Sequence, residues 1–203
     1  MKLILASSSP QRKKILKDAG YKFEIVHPKI SEKISKRCPS KKYPSEIVKS
    51  LALKKAISLN HNGIIIGADT IVVLGGEIIG KPKNENEARK ILRKLSGSKH
   101  YVYTGVAILS TVNKKPARWL VDYEKTTVLF RKLSEEDIES VCRKHLDKAG
   151  AYSIQSKNDR FVKSIKGDYL NVVGFPLKKF QKMLNKFIGR RFLQDFQNAE
   201  KTL

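Results

Sequence analysis

Cysteine is nearly absent from this 203-residue chain: only Cys38 and Cys142 occur, far apart and without metal-type spacing. That excludes a disulfide framework and a cysteine-based zinc site, and it fits a reduced, cytoplasmic setting. Histidine is as sparse, and His27, His61, His100 and His145 form no zinc pattern either. Acidic residues number 19 against 42 lysines and arginines, a formal net charge of +23. No apolar run is long enough to span a bilayer, and the apolar stretch at the start is too short for a signal peptide, so no membrane partner is expected. The Gly-x-x-x-x-Gly-Lys-Ser/Thr phosphate loop, the Gly-x-Gly-x-x-Gly fingerprint and the Gly-x-Ser-x-Gly elbow are all missing. Internal repeats and low-complexity linkers are missing too.

The hydrophobic fraction is 40%, with regular strand and helix patterns, which describes a globular chain long enough to bury a core. It allows one large domain or two small lobes. A positive excess of this size attracts polyanions such as nucleic acid, acidic membrane surfaces and nucleotides. A lysine-rich proteome in which most lysines are solvated accounts for the same excess.

The most informative stretch is the start. Lys2–Ala6 is a short apolar strand that runs into Ser7-Ser8-Ser9-Pro10-Gln11-Arg12-Lys13-Lys14. Ser9 is a good N-cap, Pro10 suits the first helical position, and Gly20 marks the stop. The free N–H groups and the dipole of a helix N-terminus favour an anion, and Arg12, Lys13 and Lys14 add charge there. Phosphate is the physical expectation.

Further along, Lys22–His27 alternates like a half-buried strand, and Lys29–Lys42 is a basic loop with Glu32 as its only acid. A helix is predicted over Ile47–Leu59, with Ile47, Leu51, Lys55 and Leu59 in one row. Lys55 in that apolar row either snorkels to water or aims into a cleft; the spacing leaves both open. Ile64–Leu74 reads as a central strand buried on both faces. Helices are predicted over Asn84–Leu95, Glu135–His145 and Leu177–Phe187, and long strands over Tyr101–Val112 and Trp119–Phe130. Arg160–Ile165 and Tyr169–Val173 read as a final strand pair, and 190–203 as a polar-to-basic tail behind a domain spanning 1–189. Mixed strands and helices predict an α/β fold, a mixed twisted sheet with surrounding helices.

Asp69 is the sharpest candidate for chemistry. A carboxylate inside an apolar strand must be paired, metal-bound or desolvated to be tolerated. It is either a catalytic group at a cleft or a structural aspartate bonding a nearby turn. Glu32 either helps Asp69 hold a divalent cation or is a solvated surface residue. Gly80-Lys81-Pro82 presents one lysine on a rigid turn. An anion seat, several cations and one or two carboxylates together describe a polyphosphate site, because phosphoryl chemistry is mostly positioning and charge neutralisation.

Read in order, several motifs resemble those of the Maf family of nucleoside triphosphate pyrophosphatases. They are Leu5-Ala6-Ser7-Ser8-Ser9-Pro10-Gln11-Arg12, Gly67-Ala68-Asp69-Thr70, Gly80-Lys81-Pro82, Leu95-Ser96-Gly97, the run from Asp147 to Gln155, and Gly167-Asp168-Tyr169 through Val172-Val173-Gly174-Phe175-Pro176. The resemblance implies two lobes around a nucleotide cleft, similar to inosine triphosphate pyrophosphatases, and a homodimer. It implies hydrolysis of a nucleoside triphosphate to the monophosphate and pyrophosphate with a divalent metal, Mg2+ or Mn2+. Asp69 matches the family's proton acceptor and Glu32 a metal position shared with Asp69. Lys55 and Lys81 match triphosphate-binding positions, Lys81 with Asp69 counted as catalytic, and Ser9 and Arg12 match the anion seat.

For base choice, Thr70 and Gln155 match members that prefer dTTP and UTP. Gln11 stands where those members carry arginine and 7-methyl-GTP-preferring members carry tryptophan. Ser31 stands where many members carry a second acid. A neutral amide cannot replace a bidentate, always charged donor. Through Thr70 and Gln155 the resemblance implies dTTP, UTP or modified nucleotides as house-cleaning substrates, and Gln11 is the departure from that pattern. A different class, a basic nucleic-acid-binding or septum-formation regulator, is suggested by the charge and by the family's link to cell division. However, no recognised nucleic-acid module is present.

Overall fold

A computed structural model of the chain describes residues 2–28, 30, 43–155 and 161–198, the last nine by their backbone alone. Strand β1 (Leu3–Ala6) is buried at every position and leads through the serine joint into helix α1 (Pro10–Asp18). Ser9 caps that helix with its hydroxyl accepting from the Arg12 amide, and Pro10 occupies the first turn, where its missing N–H costs nothing. Strand β2 (Glu24–Val26) follows, shorter than the predicted 22–27 because only three of its residues find partners on β1. Helix α2 (Tyr43–Ile57) begins four residues earlier than the apolar pattern suggested, and Pro44 is tolerated in its first turn.

Strand β3 (Gly63–Leu74) is the centre of the sheet, and β4 (Glu77–Ile79) folds back on it. Helix α3 (Glu85–Leu95) is capped by Asn84. Strands β5 (Lys99–Val112) and β6 (Lys115–Phe130) form a long hairpin. Its turn is at Asn113-Lys114, both left-handed (φ 49° and 62°), the conformation that matches strand twist. Helix α4 (Glu135–Val141) starts in a capping box between Ser134 and Asp137. A single 3-10 turn (Ala149–Ala151) precedes β7 (Val162–Lys166), α5 (Tyr169–Val173) and α6 (Leu177–Asn198). The α6 backbone is interrupted at Gly189 (φ 72°, ψ 162°), at the predicted boundary of the tail, and is helical again up to Asn198.

The expected final strand pair is corrected. Val162–Lys166 pairs instead with β6, and Tyr169–Val173 is helical; Arg160 lies outside the described residues. The reason is local. The Asp168 carboxylate accepts from the Leu170 and Asn171 amides at 2.8 and 3.3 Å, so a helical turn nucleates despite the β-branched valines.

The seven-stranded sheet has the order β2-β1-β3-β5-β6-β7, with β4 paired to β3. Pairing is parallel between β1 and both β2 and β3, and antiparallel elsewhere, which is the mixed sheet the sequence predicted. Helices α1 and α6 pack on one face against Leu3, Leu5, Ile64, Ile66 and Ala68. Helix α2 packs on the other, against Ile4, Ala6 and Ile65. A separate core joins α3, α4 and the far ends of β5 and β6.

The register creates an opening. On one edge, β3 pairs with β1 up to Gly67 and with β4 from Val72. Among the described residues, the segment from Ala68 to Ile71 has no strand beside it on that edge. The opening lies at the carboxyl ends of parallel strands, where open α/β sheets bind ligands.

Candidate active site

Asp69 and Thr70 sit in this opening, and alternation along β3 sends them to opposite faces of the sheet. Asp69 faces α2. Its Oδ1 accepts from Lys55 Nζ at 2.5 Å, and both residues are nearly buried, 5% and 6% exposed. The two readings of Lys55 are thereby resolved: its ammonium does not snorkel to solvent but meets the carboxylate of the central strand. Two glycines permit the contact. A Cβ on Gly67 would lie 2.1 Å from the Ala52 carbonyl oxygen, and one on Gly105, opposite Asp69, 2.2 Å from that of Val48. Helix α2 thus approaches the sheet backbone more closely than any side chain would allow.

Thr70 faces the other way, toward α1. The Arg12 guanidinium donates to the Gly174 carbonyl at 3.0 Å, to Thr70 Oγ1 at 3.1 Å and to Ser7 Oγ at 3.4 Å. Thr70 also shares a hydrogen with Thr104 at 2.9 Å, and Thr104 donates to the Asn171 carbonyl. Asn171, fully buried, donates in turn to the Val102 carbonyl and to Thr126 Oγ1. The expected phosphate cation, Arg12, is therefore a fixed part of the wall, tied by Gly174 to α5.

Around these two faces lies a cleft of about 590 Å³. Ser9, Gln11, Arg12, Lys55, Asp69, Thr70, Lys81 and Gln155 all line it, so every described candidate from the sequence meets there. Gln11 Oε1 accepts from Ser9 Oγ at 3.2 Å, which turns the amide into part of the helix cap. Glu32 and Ser31 lie outside the described residues.

The sequence reasoning missed the roles of Lys148 and Asp147. Both line the cleft, and Lys148 donates to both Asp147 oxygens at 2.8 and 2.9 Å. Burial works to raise the Asp147 pKa, but Lys148 outweighs it and holds the carboxyl below its ordinary value. A lysine directly before Ala149-Gly150-Ala151 was the available signal. Nothing marked Asn171, because its segment read as a strand.

The arrangement can neutralise a polyanion with Arg12, Lys55, Lys81 and Lys148 and offer one carboxylate as base or ligand. Among the described residues no three His, Cys, Asp or Glu side chains converge on a metal position. A donor set of one or two carboxylates still fits a Mg2+-type cation, which takes its remaining oxygens from water and substrate phosphates. Among the described residues, no helix is long and apolar enough to cross a membrane.

Fold and site together define an α/β protein with a cationic cleft at the ends of its parallel strands, suited to a phosphorylated ligand. The chain belongs to the Maf-like protein family, whose model matches residues 2–187. It is 43% identical over 190 residues to a dTTP/UTP pyrophosphatase of Elusimicrobium minutum (strain Pei191), covering 92% of this chain and 99% of the relative. A dTTP/UTP pyrophosphatase of Bacillus cereus (strain G9842) is 45% identical over 191 residues, covering 92% and 95%. One of Caldanaerobacter subterraneus subsp. tengcongensis is 41% identical over 206 residues, covering 100% and 98%. Among solved structures, a nucleoside-triphosphatase / dITP/XTP pyrophosphatase of Mycobacterium abscessus aligns over 95% of this chain and 96% of its own at TM-score 0.43 and 13% identity.

Proposed function

We propose that the chain hydrolyses nucleoside triphosphates, dTTP and UTP or modified relatives of them, to the monophosphate and pyrophosphate. The observation that carries this reading is the buried Asp69–Lys55 pair opening on a cleft lined by Arg12, Lys81 and Lys148. The names of the relatives support it. Water attacks the α-phosphorus, the bond from that phosphorus to the α–β bridging oxygen breaks, and pyrophosphate leaves. Asp69 takes the proton from the water. Lys55 holds the carboxylate in place, and Lys81 and Lys148 bear on the β- and γ-phosphates. The N-terminus of α1, with Ser9 and the fixed Arg12, seats phosphate oxygens. Thr70, Gln155 and Gln11, which line the same cleft, bear on the choice of base.

Asp69 and Glu32 would hold a Mg2+ or Mn2+, which when bound neutralises part of the triphosphate charge. A homodimer and a cytoplasmic location belong to the same reading.

The test is pyrophosphate release from a panel of common, modified and damaged nucleoside triphosphates. Asp69→Asn should lower kcat by about 10²- to 10⁴-fold. Wild-type turnover by that variant, or release of orthophosphate instead of pyrophosphate, overturns the mechanism. The net charge of +23 favours one other reading, a nucleic-acid-binding regulator. Duplex DNA binding at moderate salt without pyrophosphate release would select it.

A further inference from the structure

Tyr152 stands in the cleft wall, 6% exposed, yet its hydroxyl reaches into the core. There it lies 3.0 Å from Nε2 of His100 on β5, a residue with no exposure at all. Either atom can donate. The His100 and Tyr152 rings meet edge to face at 5.6 Å, and Phe130 packs edge-on against both, at 4.9 and 4.8 Å. Burial lowers the His100 pKa to about 4 and raises that of Tyr152, so the pair is neutral at physiological pH.

The backbone just before Tyr152 is strained. Gly150 (φ 81°) and Ala151 (φ 58°) are both left-handed, and an L-residue at the second of these positions persists only where its surroundings over-determine it. A Cβ on Gly150 would stand 2.8 Å from the Tyr152 ring, so turn and ring fit each other closely. Hydrogen bonds tie the segment to the rest of the molecule, among them a 3.4 Å bond from the Tyr169 hydroxyl to the Ile154 carbonyl. The Gly150 amide donates to the Gly80 carbonyl at 3.2 Å, next to Lys81, and Tyr152 meets His100. The segment so held carries Lys148 and Gln155 to the cleft.

We infer that His100 is a positioning residue: through the Tyr152 hydroxyl it locks the 147–155 segment and sets where Lys148 and Gln155 meet a bound nucleoside triphosphate. The inference rests on the proposed triphosphate reading of the cleft, and it adds a residue that touches no substrate. The hydroxyl is the link, because among the described residues it is the one polar contact that ties this otherwise apolar-packed ring to β5.

The test compares Tyr152→Phe, His100→Leu, His100→Gln and the Phe/Leu double variant. The readouts are KM and kcat for pyrophosphate release, Kd for a non-hydrolysable dTTP analogue, and melting temperature. Tyr152→Phe and His100→Leu should each raise KM and Kd roughly three- to tenfold, the scale of one lost neutral hydrogen bond, while kcat changes less. The double variant should be no worse than either single one. His100→Gln, which restores a hydrogen-bonding group opposite the hydroxyl, should recover most of the loss. Unchanged KM and Kd in Tyr152→Phe and His100→Leu, with only a lower melting temperature, overturn the inference. A wild type that binds the analogue but releases no pyrophosphate defeats the hydrolase reading, while the Kd series still decides the role of His100.

Discussion

Gly67→Ala should weaken both the fold and the site, and the structure gives the size of the effect. Gly67 lies on the α2 face of β3, two residues before Asp69. Its new methyl group would stand 2.1 Å from the Ala52 carbonyl oxygen and 3.0 Å from the Ala56 amide nitrogen, and ordinary contact begins at 3.4 Å. These are backbone atoms of the helical turn that carries Lys55, so no side chain can rotate away. The helix must lift by about 1.3 Å to restore contact distance with the oxygen. Overpacking of this kind costs about 1–3 kcal/mol. Alanine returns about 0.4–1 kcal/mol by restricting the unfolded chain, since the backbone at Gly67 is not left-handed. The net expectation is a loss of about 1–2 kcal/mol, read as a lower urea midpoint at unchanged slope.

The same lift acts on a Lys55–Asp69 contact of 2.5 Å between two nearly buried groups, and drawing Nζ away by that distance takes it out of hydrogen-bond range. A misplacement of about 1 Å can cost about 10²-fold in rate, and a fall in kcat of that order is expected. A variant with the wild-type urea midpoint and kcat would refute the claim that close backbone approach of α2 builds the pair.

The pH dependence of stability tests the buried histidine. Burial holds His100 at about 4 against an ordinary 6.5, so between those values the unfolded chain binds the extra proton. Stability is therefore complete above the higher value and falls as pH drops toward the lower, by about 3 kcal/mol for the full shift. Urea midpoints at pH 7 and 4.5 should converge in His100→Gln relative to wild type, and an identical pH slope in the two proteins would refute the assignment. Asp137→Ala removes the α4 capping box and the paired Arg131 contacts at 2.6 and 2.7 Å. It should cost about 1–2 kcal/mol at neutral pH with kcat unchanged, because Asp137 does not line the cleft. Arg131 holds the Asp137 carboxyl well below the usual carboxylate range, so that contribution disappears only when the pH falls through the depressed value. A loss of kcat in Asp137→Ala would show that the helix pair α3–α4 reaches the site.

The sequence by itself determined what depends on near neighbours. Apolar runs, interrupted by polar side chains in β3 only at Asp69 and Thr70, marked β1 as a strand and β3 as a central one, because a strand buried on both faces has no polar alternation to offer. Ser9 announced a helix start, because its side chain bonds the amide three residues on. Motif order was legible as well, and with it the family. Where local signals conflicted, the reading failed: at Tyr169–Val173 valine and tyrosine favour a strand, but one carboxylate from Asp168 closes a helical turn. Only the tertiary structure decided what depends on distant approach. The spacing on α2 could not say whether Lys55 met water or a cleft. That was settled by Gly67 and Gly105, which let the helix sink until the ammonium reached Asp69. Strand alternation then parted Asp69 from Thr70, giving one to Lys55 and the other to Arg12. His100 and Tyr152, 52 residues apart, carry no sequence signal at all for each other. Their contact exists because β5 and the 147–155 segment fold onto one core, where a buried polar group must find a partner.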